Sequence, residues 1–483
     1  MAADIQHVVV LMLENRSFDS MLGRLYPPDP TFNGLTLNES NQYGMTYGVW
    51  NDPNMTAAAA CIPDPDPGEL FEDMNIQIFG DKDRGGKTAN MSGFALDYAV
   101  PVEQPASYRD PGAVMHYFTD QQLPVLWSLA KAFAVCDDWH ASAPCQTWPN
   151  RFFAHTGTAL GYVDNHAFKI PFEAPSLFRR LEDAGRDWRV YFHDMPQSIL
   201  IRDVWLYALS HYRLFSQFLA DAHAGALPAY SFIEPQYFTN LFTNQIANDQ
   251  HPPHNVLYGE QLIAQVYNAL RSNPGIWKST LLIITCDEHG GCYDHVVPPK
   301  ALPPEVPAPG AALNNAYDFT FDAYGVRVPA VIVSPWIPPG TKLRAPGWAG
   351  GHPDPKLPPF DHTSIIKTVR EIFGLGAKLT DRDDVAPSLV PFLSLAAPNN
   401  DGPLSVTAVL GDPPKPDFFT RLGGLLPNGM QSALAAAAVA LPGSAPATEG
   451  DIPSSAAPDP CGYTTVAAAQ NAATQSLKGF LGW

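Results

Sequence analysis

The sequence predicts an α/β fold, with a mostly parallel central sheet and helices on both of its faces. Apolar, strand-like runs recur along the chain, and amphipathic segments lie between them. Strands that are apolar throughout are buried on both faces, which is typical of a parallel sheet covered by helices. The strand-like runs are 7–13, 132–136, 189–192, 229–234, 280–286 and 328–334.

Two segments have the apolar spacing of helices that pack one face against a core. In 254–271 the residues at this spacing are Leu257, Leu262, Ile263, Val266 and Leu270. In 363–373 they are Ile365, Ile366, Val369, Ile372 and Phe373, before a stop at Gly374. The stretches 26–110 and 297–327 are rich in Pro, Gly and Asn, and we expect them to form long loop insertions.

The composition changes beyond about residue 396, which predicts a core domain over 1–395 and a C-terminal appendage over 396–483. "LSLAAPNNDGPLS" indicates a linker, and "ALAAAAVALPGSAPATEGDIPSSAAPDP" is a low-complexity Ala/Pro/Ser stretch. "TTVAAAQNAATQSLKGFLGW" predicts a terminal helix. We expect the core to fold without the residues beyond about 440, unless the tail's bulky residues dock on it. Those residues are Leu477, Phe480, Leu481 and Trp483.

The charge balance excludes several classes of function. Of 483 residues, 48 are acidic and 29 are basic, for a net charge of -19. This argues against nucleic-acid binding and allows at most peripheral membrane contact. No apolar stretch approaches the ~20 residues that span a bilayer. The first strand begins too close to Met1 for a signal peptide. We therefore expect a soluble chain that is cytoplasmic, or secreted with its export signal already removed.

Two of the predicted strands run directly into pairs of polar residues. Glu14 and Asn15 follow the first strand, and Asp287 and Glu288 follow the strand at 280–286. Ligands of open α/β sheets bind outside the carboxyl ends of the strands. Four oxygen-donating side chains there predict a site for a hard cation such as Mg, Ca or Mn. The alternative is that each pair marks only the exit of a strand to solvent.

A third element can supply a nucleophile to the same place. In "SAPCQTWPNRFFAHTG", Thr147 precedes Pro149, which is favoured in a first helical turn, and Gly157 closes a short helix. A helix N-terminus attracts a phosphate, and a hydroxyl beside a cation can lose its proton and attack. The alternative is that Thr147 is an ordinary helix cap.

Eight motifs give the chain a recognisable resemblance. It resembles the phosphoesterase family of bacterial phosphatidylcholine-hydrolysing phospholipases C, plant non-specific phospholipases C and related acid phosphatases. The resemblance runs from residue 5 to about 395, and it does not include the tail beyond residue 396. The motifs are "ENRSFD" (14–19), "DPGELFEDMNIQIFG" (66–80), "MSGF" (91–94), "TWPNRFFAHTGT" (147–158), "SFIEP" (231–235), "HPPHNV" (251–256), "CDEHGGCYDHVVPP" (286–299) and "FDHTSIIKTVREIFG" (360–374).

The resemblance implies an alkaline-phosphatase-like fold with one divalent metal ion, which would be Ca, Mg or Mn. By motif position the metal ligands are Glu14, Asn15, Asp287 and Glu288. Thr147 matches the hydroxyl nucleophile, which would form a phosphothreonine intermediate. The implied substrates are phospholipids or small phosphoesters.

Histidines are implied to handle protons and phosphate. The resemblance places His251, His254 and His295 among the catalytic residues. It places Asn150, His155 and His362 with the substrate-binding residues, together with Glu69. For His155 the alternative is a structural role through ring hydrogen bonds.

Glu69 departs from the family pattern. The family usually carries Asp-Pro-Gly-His, whereas this chain has Asp66-Pro67-Gly68-Glu69. A carboxylate at a phosphate contact repels an anion, so the substitution bears on substrate choice. Three functions therefore stay open: a phospholipase C acting on phosphatidylcholine-like diesters, a broad acid phosphatase acting on monoesters, and a catalytically silent ligand-binding member.

Overall fold

A computed structural model confirms the α/β fold and the mostly parallel sheet. It describes residues 3–102, 109–166, 170–239, 245–305, 314–348, 351–410, 429–439, 441–442 and 465–481. The strands are β1 His7–Leu13, β2 Ser40–Tyr43, β3 Met45–Gly48, β4 Ala134–Cys136, β5 Trp188–Phe192, β6 Tyr212–Leu214, β7 Tyr230–Glu234, β8 Thr280–Cys286, β9 Ala330–Val333 and β10 Thr341–Leu343. Each of the six predicted strands is present, within two residues of its predicted ends.

Eight of these strands form one sheet in the order β10-β4-β9-β8-β1-β7-β5-β6. Strand β1 lies between β7 and β8 and is parallel to both. Only β9 among the described strands of this sheet runs against its neighbours, β4 and β8. The side chains of β8 are buried along its whole length, as its continuous apolar sequence predicts.

The two predicted helices form close to their expected ends, at Val256–Ser272 and Thr363–Phe373. Asn255 caps the first of them with its side chain, and Gly374 ends the second in the left-handed conformation. The described helices are α1 Phe18–Leu22, α2 Phe71–Phe79, α3 Phe94–Ala99, α4 Pro124–Ala132, α5 Thr147–Thr156, α6 Leu177–Asp183, α7 Ala208–His211, α8 Phe215–Ala224, α9 Val256–Ser272, α10 Pro274–Lys278, α11 Thr363–Phe373, α12 Asp381–Val385, α13 Gly429–Val439 and α14 Val466–Leu481.

The stretch 26–110 is more ordered than a loop insertion. It contains the antiparallel hairpin of β2 and β3, and helices α2 and α3. Phe94 and Tyr98 of α3 are fully buried in a small hydrophobic cluster beside the main core. Their burial orders a segment whose polar composition predicted only loops.

The tail also differs from its prediction. The Ala-rich part of the low-complexity stretch forms helix α13, because alanine favours helices and its small side chain allows close packing. The predicted terminal helix is α14, and Leu477 and Leu481 on it are buried in the main hydrophobic core. Phe480 contacts Trp205 edge to face, at 5.8 Å between ring centroids. Trp483 lies outside the described residues. The tail therefore docks on the core, while the domain boundary near 396 stays a prediction.

None of the described helices is long and apolar enough to cross a bilayer.

Candidate active site

The two polar pairs that follow β1 and β8 lie side by side, because Leu13 and Cys286 are partners in the sheet. The backbone N–H of Asn15 donates to Asp287 Oδ1 at 3.2 Å. Asn15 has a left-handed backbone, with φ at 52°, a conformation that Asn tolerates better than most residues. The turn at Asn15 takes the chain out of the sheet at the strand end where the four predicted ligands meet.

Asn15 connects the predicted nucleophile to two carboxylates. Its amide Nδ2 donates to Glu69 Oε1 at 2.6 Å and to Glu288 Oε1 at 2.9 Å. Its Oδ1 accepts from Thr147 Oγ1 at 3.4 Å. The side chains of Asn15, Thr147 and Glu288 are fully buried, and Glu69 is 8% exposed. Residues far apart in the chain therefore form one polar centre.

Thr147 is not a helix cap. Gln146 is the N-cap of α5, and Thr147 is the first helical residue. Its hydroxyl points to Asn15 instead of closing the helix end. Asn150 fixes the preceding loop, because its Nδ2 donates to the carbonyl oxygens of Ala143 and Cys145.

Arg151 is the main residue of the site that the sequence interpretation missed. Its guanidinium pairs with Glu14 at 2.8 Å, with Asp287 at 3.0 Å and with Glu234 at 3.5 Å. The signal was its spacing, since a residue four positions after Thr147 lies on the same helix face. Gln197 was also missed, and its Nε2 donates to Glu14 Oε1 at 2.6 Å.

The electrostatics of these residues fit a bound divalent cation. Burial raises the pKa of Glu14 well above its ordinary value, and the neighbouring Asp287 adds to the rise. The pKa of Glu288 is also raised well above its ordinary value, mainly by burial and next by the charge of Glu69. Burial raises the pKa of Asp287 as well. Glu14 Oε2 is buried, and no described residue gives it a hydrogen bond. One guanidinium among several buried carboxylates leaves negative charge that a hard cation would compensate.

Two compact groups of possible metal ligands occur among the described residues. In each, the ligand atoms lie within 4.8 Å of one another. One group is Asp66, Glu69 and His251, and the other is Asp19, Asp294 and His295. The predicted set of Glu14, Asn15, Asp287 and Glu288 is not one of them. It contacts the first group through Glu69, which accepts from Asn15.

His251 lies beside the polar centre, and the ring of His254 is 6.1 Å from that of His251, centroid to centroid. His251 Nε2 is 3.5 Å from Glu69 Oε1, and its Nδ1 is 3.6 Å from Asp66 Oδ1. Burial alone would lower the pKa of His251, but Asp66 and Glu69 raise it well above the ordinary value. His254 Nδ1 is 2.7 Å from Asp249 Oδ1.

His295 belongs to the other group. Its Nδ1 is 2.6 Å from Asp19 Oδ2, and its Nε2 is 3.0 Å from Asn33 Oδ1. Burial opposes protonation of its ring, but Asp19 raises the pKa of His295 above the ordinary value. These contacts favour a role within the Asp19 group, so a catalytic role for His295 stays a prediction.

Three further predicted substrate contacts are buried side chains: Asn150, His155 and His362. His155 is buried between Phe178 and Phe232, at 5.0 and 4.5 Å between ring centroids, and burial lowers its pKa to about 3. His362 Nε2 is 2.6 Å from the carbonyl oxygen of Asp287, and burial lowers its pKa to about 4. Asn150 is fully buried and bonded to its own loop. These contacts favour a supporting role for the three side chains, and their predicted contact with substrate stays a prediction.

Comparison with known proteins shows the family of this chain. The model of the Phosphoesterase family matches residues 5–376. Non-specific phospholipase C6 of Arabidopsis thaliana is 37% identical over 428 residues, which cover 84% of this chain and 75% of the relative. Phospholipase C A of Mycobacterium tuberculosis is 29% identical over 446 residues, covering 82% of this chain and 78% of the relative. A crystal structure of an alkaline phosphatase superfamily protein from Vibrio parahaemolyticus matches at a TM-score of 0.34 and 10% identity, over 80% of this chain and 71% of that one.

The class of protein is therefore a phosphoric-ester hydrolase, built on a mostly parallel α/β sheet with a buried acidic centre. The chain belongs to the Phosphoesterase family.

Proposed function

We propose that this chain hydrolyses phosphodiesters of the phosphatidylcholine type, as a metal-dependent phospholipase C with Thr147 as nucleophile. The observation that carries the proposal is the buried Thr147 hydroxyl, at the start of α5 and 3.4 Å from Asn15 Oδ1. The names of the relatives support the substrate class, because they are phospholipases C from a plant and a bacterium.

The residues that would hold the divalent metal ion are Glu14, Asn15, Asp287 and Glu288. When bound, the ion would lower the pKa of the Thr147 hydroxyl and withdraw charge from the phosphate oxygens. Arg151 is already bonded to Glu14 and Asp287, so it fixes the directions of both carboxylates. The positive dipole end of α5 favours the negative charge of a phosphate in front of Thr147.

The reaction has two steps. Thr147 Oγ1 first loses its proton to solvent and then attacks phosphorus. The bond from phosphorus to the leaving alcohol breaks, and His254 gives that alcohol its proton. A water molecule then attacks the phosphothreonine, gives a proton to His254, and releases the phosphate product with Thr147 restored. Asp249 supports His254 in this role because it accepts a hydrogen bond from Nδ1, which fixes the ring tautomer.

The second candidate is a broad phosphomonoesterase. Glu69 disfavours it, because its carboxylate lies 2.6 Å from Asn15 Nδ2 and would repel a dianionic monoester more than a monoanionic diester. A catalytically silent role is disfavoured because each predicted ligand position and the nucleophile position carry a chemically competent residue.

Turnover of two soluble esters tests the proposal. p-Nitrophenyl phosphorylcholine is a diester and p-nitrophenyl phosphate is a monoester, and both release the same chromophore. We expect higher kcat/KM on the diester, loss of turnover after chelation, and recovery with Ca, Mg or Mn. Preference for the monoester would favour the phosphatase, and turnover that survives complete removal of metal would refute metal dependence.

A further inference from the structure

Helix α13 lies beyond residues 5–376, where the family model matches, yet it reaches the candidate active site. Gln431 Nε2 donates to the carbonyl oxygen of Tyr237 at 2.9 Å, and lies 3.5 Å from His254 Nε2. On the same helix, Met430 Sδ is 3.9 Å from Nε2 of Gln197. The tail therefore contacts both His254 and the residue that bonds Glu14.

The contact falls on the nitrogen of His254 that exchanges protons. Nδ1 of this ring is 2.7 Å from Asp249 Oδ1, so a neutral ring carries its proton on Nδ1. Nε2 then has the free lone pair, and it is Nε2 that faces Gln431. At 3.5 Å, the long limit for a hydrogen bond, the Gln431 amide donates at most weakly to a neutral Nε2 and restrains a protonated ring by packing alone.

Gln431 is itself held firmly. Its side chain is 3% exposed, and its amide bonds the backbone of Tyr237. The Tyr237 hydroxyl donates to Glu234 Oε2, and the Arg151 guanidinium lies 5.6 Å from the centre of the Tyr237 ring. The Gln431 amide is thus fixed to Tyr237, a residue that also contacts Arg151 and Glu234.

We propose that Gln431 is a positioning residue for His254, so that the C-terminal tail completes the active site. The inference rests on the proposed function, in which His254 protonates the leaving alcohol. Asp249 bonds Nδ1 of the His254 ring, and Gln431 contacts Nε2 and so limits rotation of the ring. Without Gln431 the ring has more freedom, and the proton is less often in line with the leaving oxygen.

The effect depends on the leaving group. p-Nitrophenolate is a stable anion and departs with little help from an acid, whereas the alkoxide of a diacylglycerol needs a proton. We expect Gln431→Met to lower kcat on monomeric dibutyryl phosphatidylcholine by roughly ten- to a hundred-fold. On p-nitrophenyl phosphorylcholine the same variant should lose little activity. Methionine has a similar length and volume, so the packing of α13 is largely kept.

The matched control is Gln470→Met in α14, at a glutamine of similar burial that is 5% exposed. It should leave both rates near those of the wild type. In a His254→Ala background, Gln431→Met should cause no further loss, because its effect acts through the ring. Gln431→Asn keeps an amide that is one methylene shorter, and gives the same leaving-group dependence if the Met variant does not fold, as judged by its thermal melt.

The outcomes separate the two proposals. A wild type that hydrolyses neither ester would refute the proposed function, and this inference with it. A wild type that hydrolyses both, with Gln431→Met indistinguishable from Gln470→Met, would refute only the role of Gln431. Equal losses on both esters, or a rise in kcat, would also refute it, since the first indicates general distortion and the second a blocking contact.

Discussion

Two groups of buried acidic residues lie near the ends of the central strands, and they differ in how their charge is compensated. The first, here called the balanced group, is Asp19, Asp294, His295 and Arg327. Arg327 pairs with Asp19 at 2.9 Å and with Asp294 at 3.0 Å, and His295 pairs with Asp19 at 2.6 Å. Two carboxylates thus meet two groups that can carry positive charge.

The second, here called the carboxylate centre, is Glu14, Asn15, Asp287 and Glu288. Arg151 is the guanidinium that pairs with it, and Arg151 also pairs with Glu234 outside the centre. Burial raises the pKa of Glu14 and Glu288 well above the ordinary range.

The pKa of Asp19 shows the contrast between the two groups. Burial alone would raise it, but His295 and Arg327 lower it below the ordinary value. For Asp294 the effect of burial is larger than that of its partners, and its pKa is raised to about 6. Carboxylates of similar burial therefore differ in how their charge is compensated: two cationic neighbours lower the pKa of Asp19, whereas the pKa values of Glu14 and Glu288 stay raised.

The largest expected effect comes from removing the nucleophile next to the carboxylate centre. Thr147→Ala should lower kcat at least about a thousand-fold, because no other group replaces a covalent nucleophile. Stability should fall by only about 1 kcal/mol, since the hydroxyl makes one long hydrogen bond, to Asn15 at 3.4 Å. Turnover and a denaturant titration measure the two effects.

Thr147→Ser is the matched control and should keep substantial activity, because it retains the hydroxyl. Thr156→Ala, at the other end of α5, should keep full activity. More than a few per cent of wild-type turnover in Thr147→Ala would show that the nucleophile lies elsewhere.

The next effect separates the two groups by metal content. Asp287→Asn and Glu14→Gln should each lose the metal ion and the activity, because too few charged oxygen ligands remain for a hard cation. Asp294→Asn in the balanced group should keep the ion. Elemental analysis after dialysis measures the bound metal. Full occupancy in both carboxylate-centre variants, with loss in Asp294→Asn, would exchange the roles of the two groups.

The sequence predicted the position of the carboxylate centre, but not the residues that its side chains contact. The apolar strands and their polar ends predicted the sheet and placed Glu14, Asn15, Asp287 and Glu288 at its edge. Some neighbours of these residues come from more than 130 positions away in the chain, as Arg151 does for Glu14 and Asp287. Its spacing from Thr147 places Arg151 on the same helix face, but the sequence does not show which carboxylates it pairs with.

Elsewhere the local pattern did not show how a segment packs. His155 lies in a matching motif, but helix α5 turns it between two aromatic rings. The Ala-rich stretch looked too small to bury, yet Leu434 in α13 is fully buried, because small residues let that helix approach the core closely. In both cases tertiary packing decided the outcome, which the sequence of the segment alone does not contain.

A smaller effect tests the structural role of the balanced group. Arg327→Met should destabilise the fold by about 3–5 kcal/mol, because it leaves Asp294 buried without its cation and Asp19 with His295 alone. Metal content should not change in the folded fraction. Arg344→Met is the control, since Arg344 pairs with one carboxylate, Asp137, and is 17% exposed. Unfolding in denaturant should show a clearly smaller loss for the control, and equal losses would contradict the special role of Arg327.

The smallest expected effect concerns Glu69, which adds a further carboxylate beside Asn15. Its Oε1 accepts from Asn15 Nδ2 at 2.6 Å and lies 3.5 Å from His251 Nε2. A phosphate bound at Thr147 would face this charge. Coulomb repulsion is proportional to charge, so a dianionic monoester is opposed about twice as strongly as a monoanionic diester at the same distance.

Glu69→His should therefore raise kcat/KM for p-nitrophenyl phosphate relative to p-nitrophenyl phosphorylcholine, by roughly three- to ten-fold. Glu69→Gln removes the charge but keeps the shape, and it should give most of the same change if repulsion is the cause. If Glu69 instead binds the choline cation, both variants should raise KM for the choline ester and leave the monoester unaffected. A ratio that stays constant in both variants would mean that Glu69 acts only on Asn15 and His251, and that its charge does not reach the substrate.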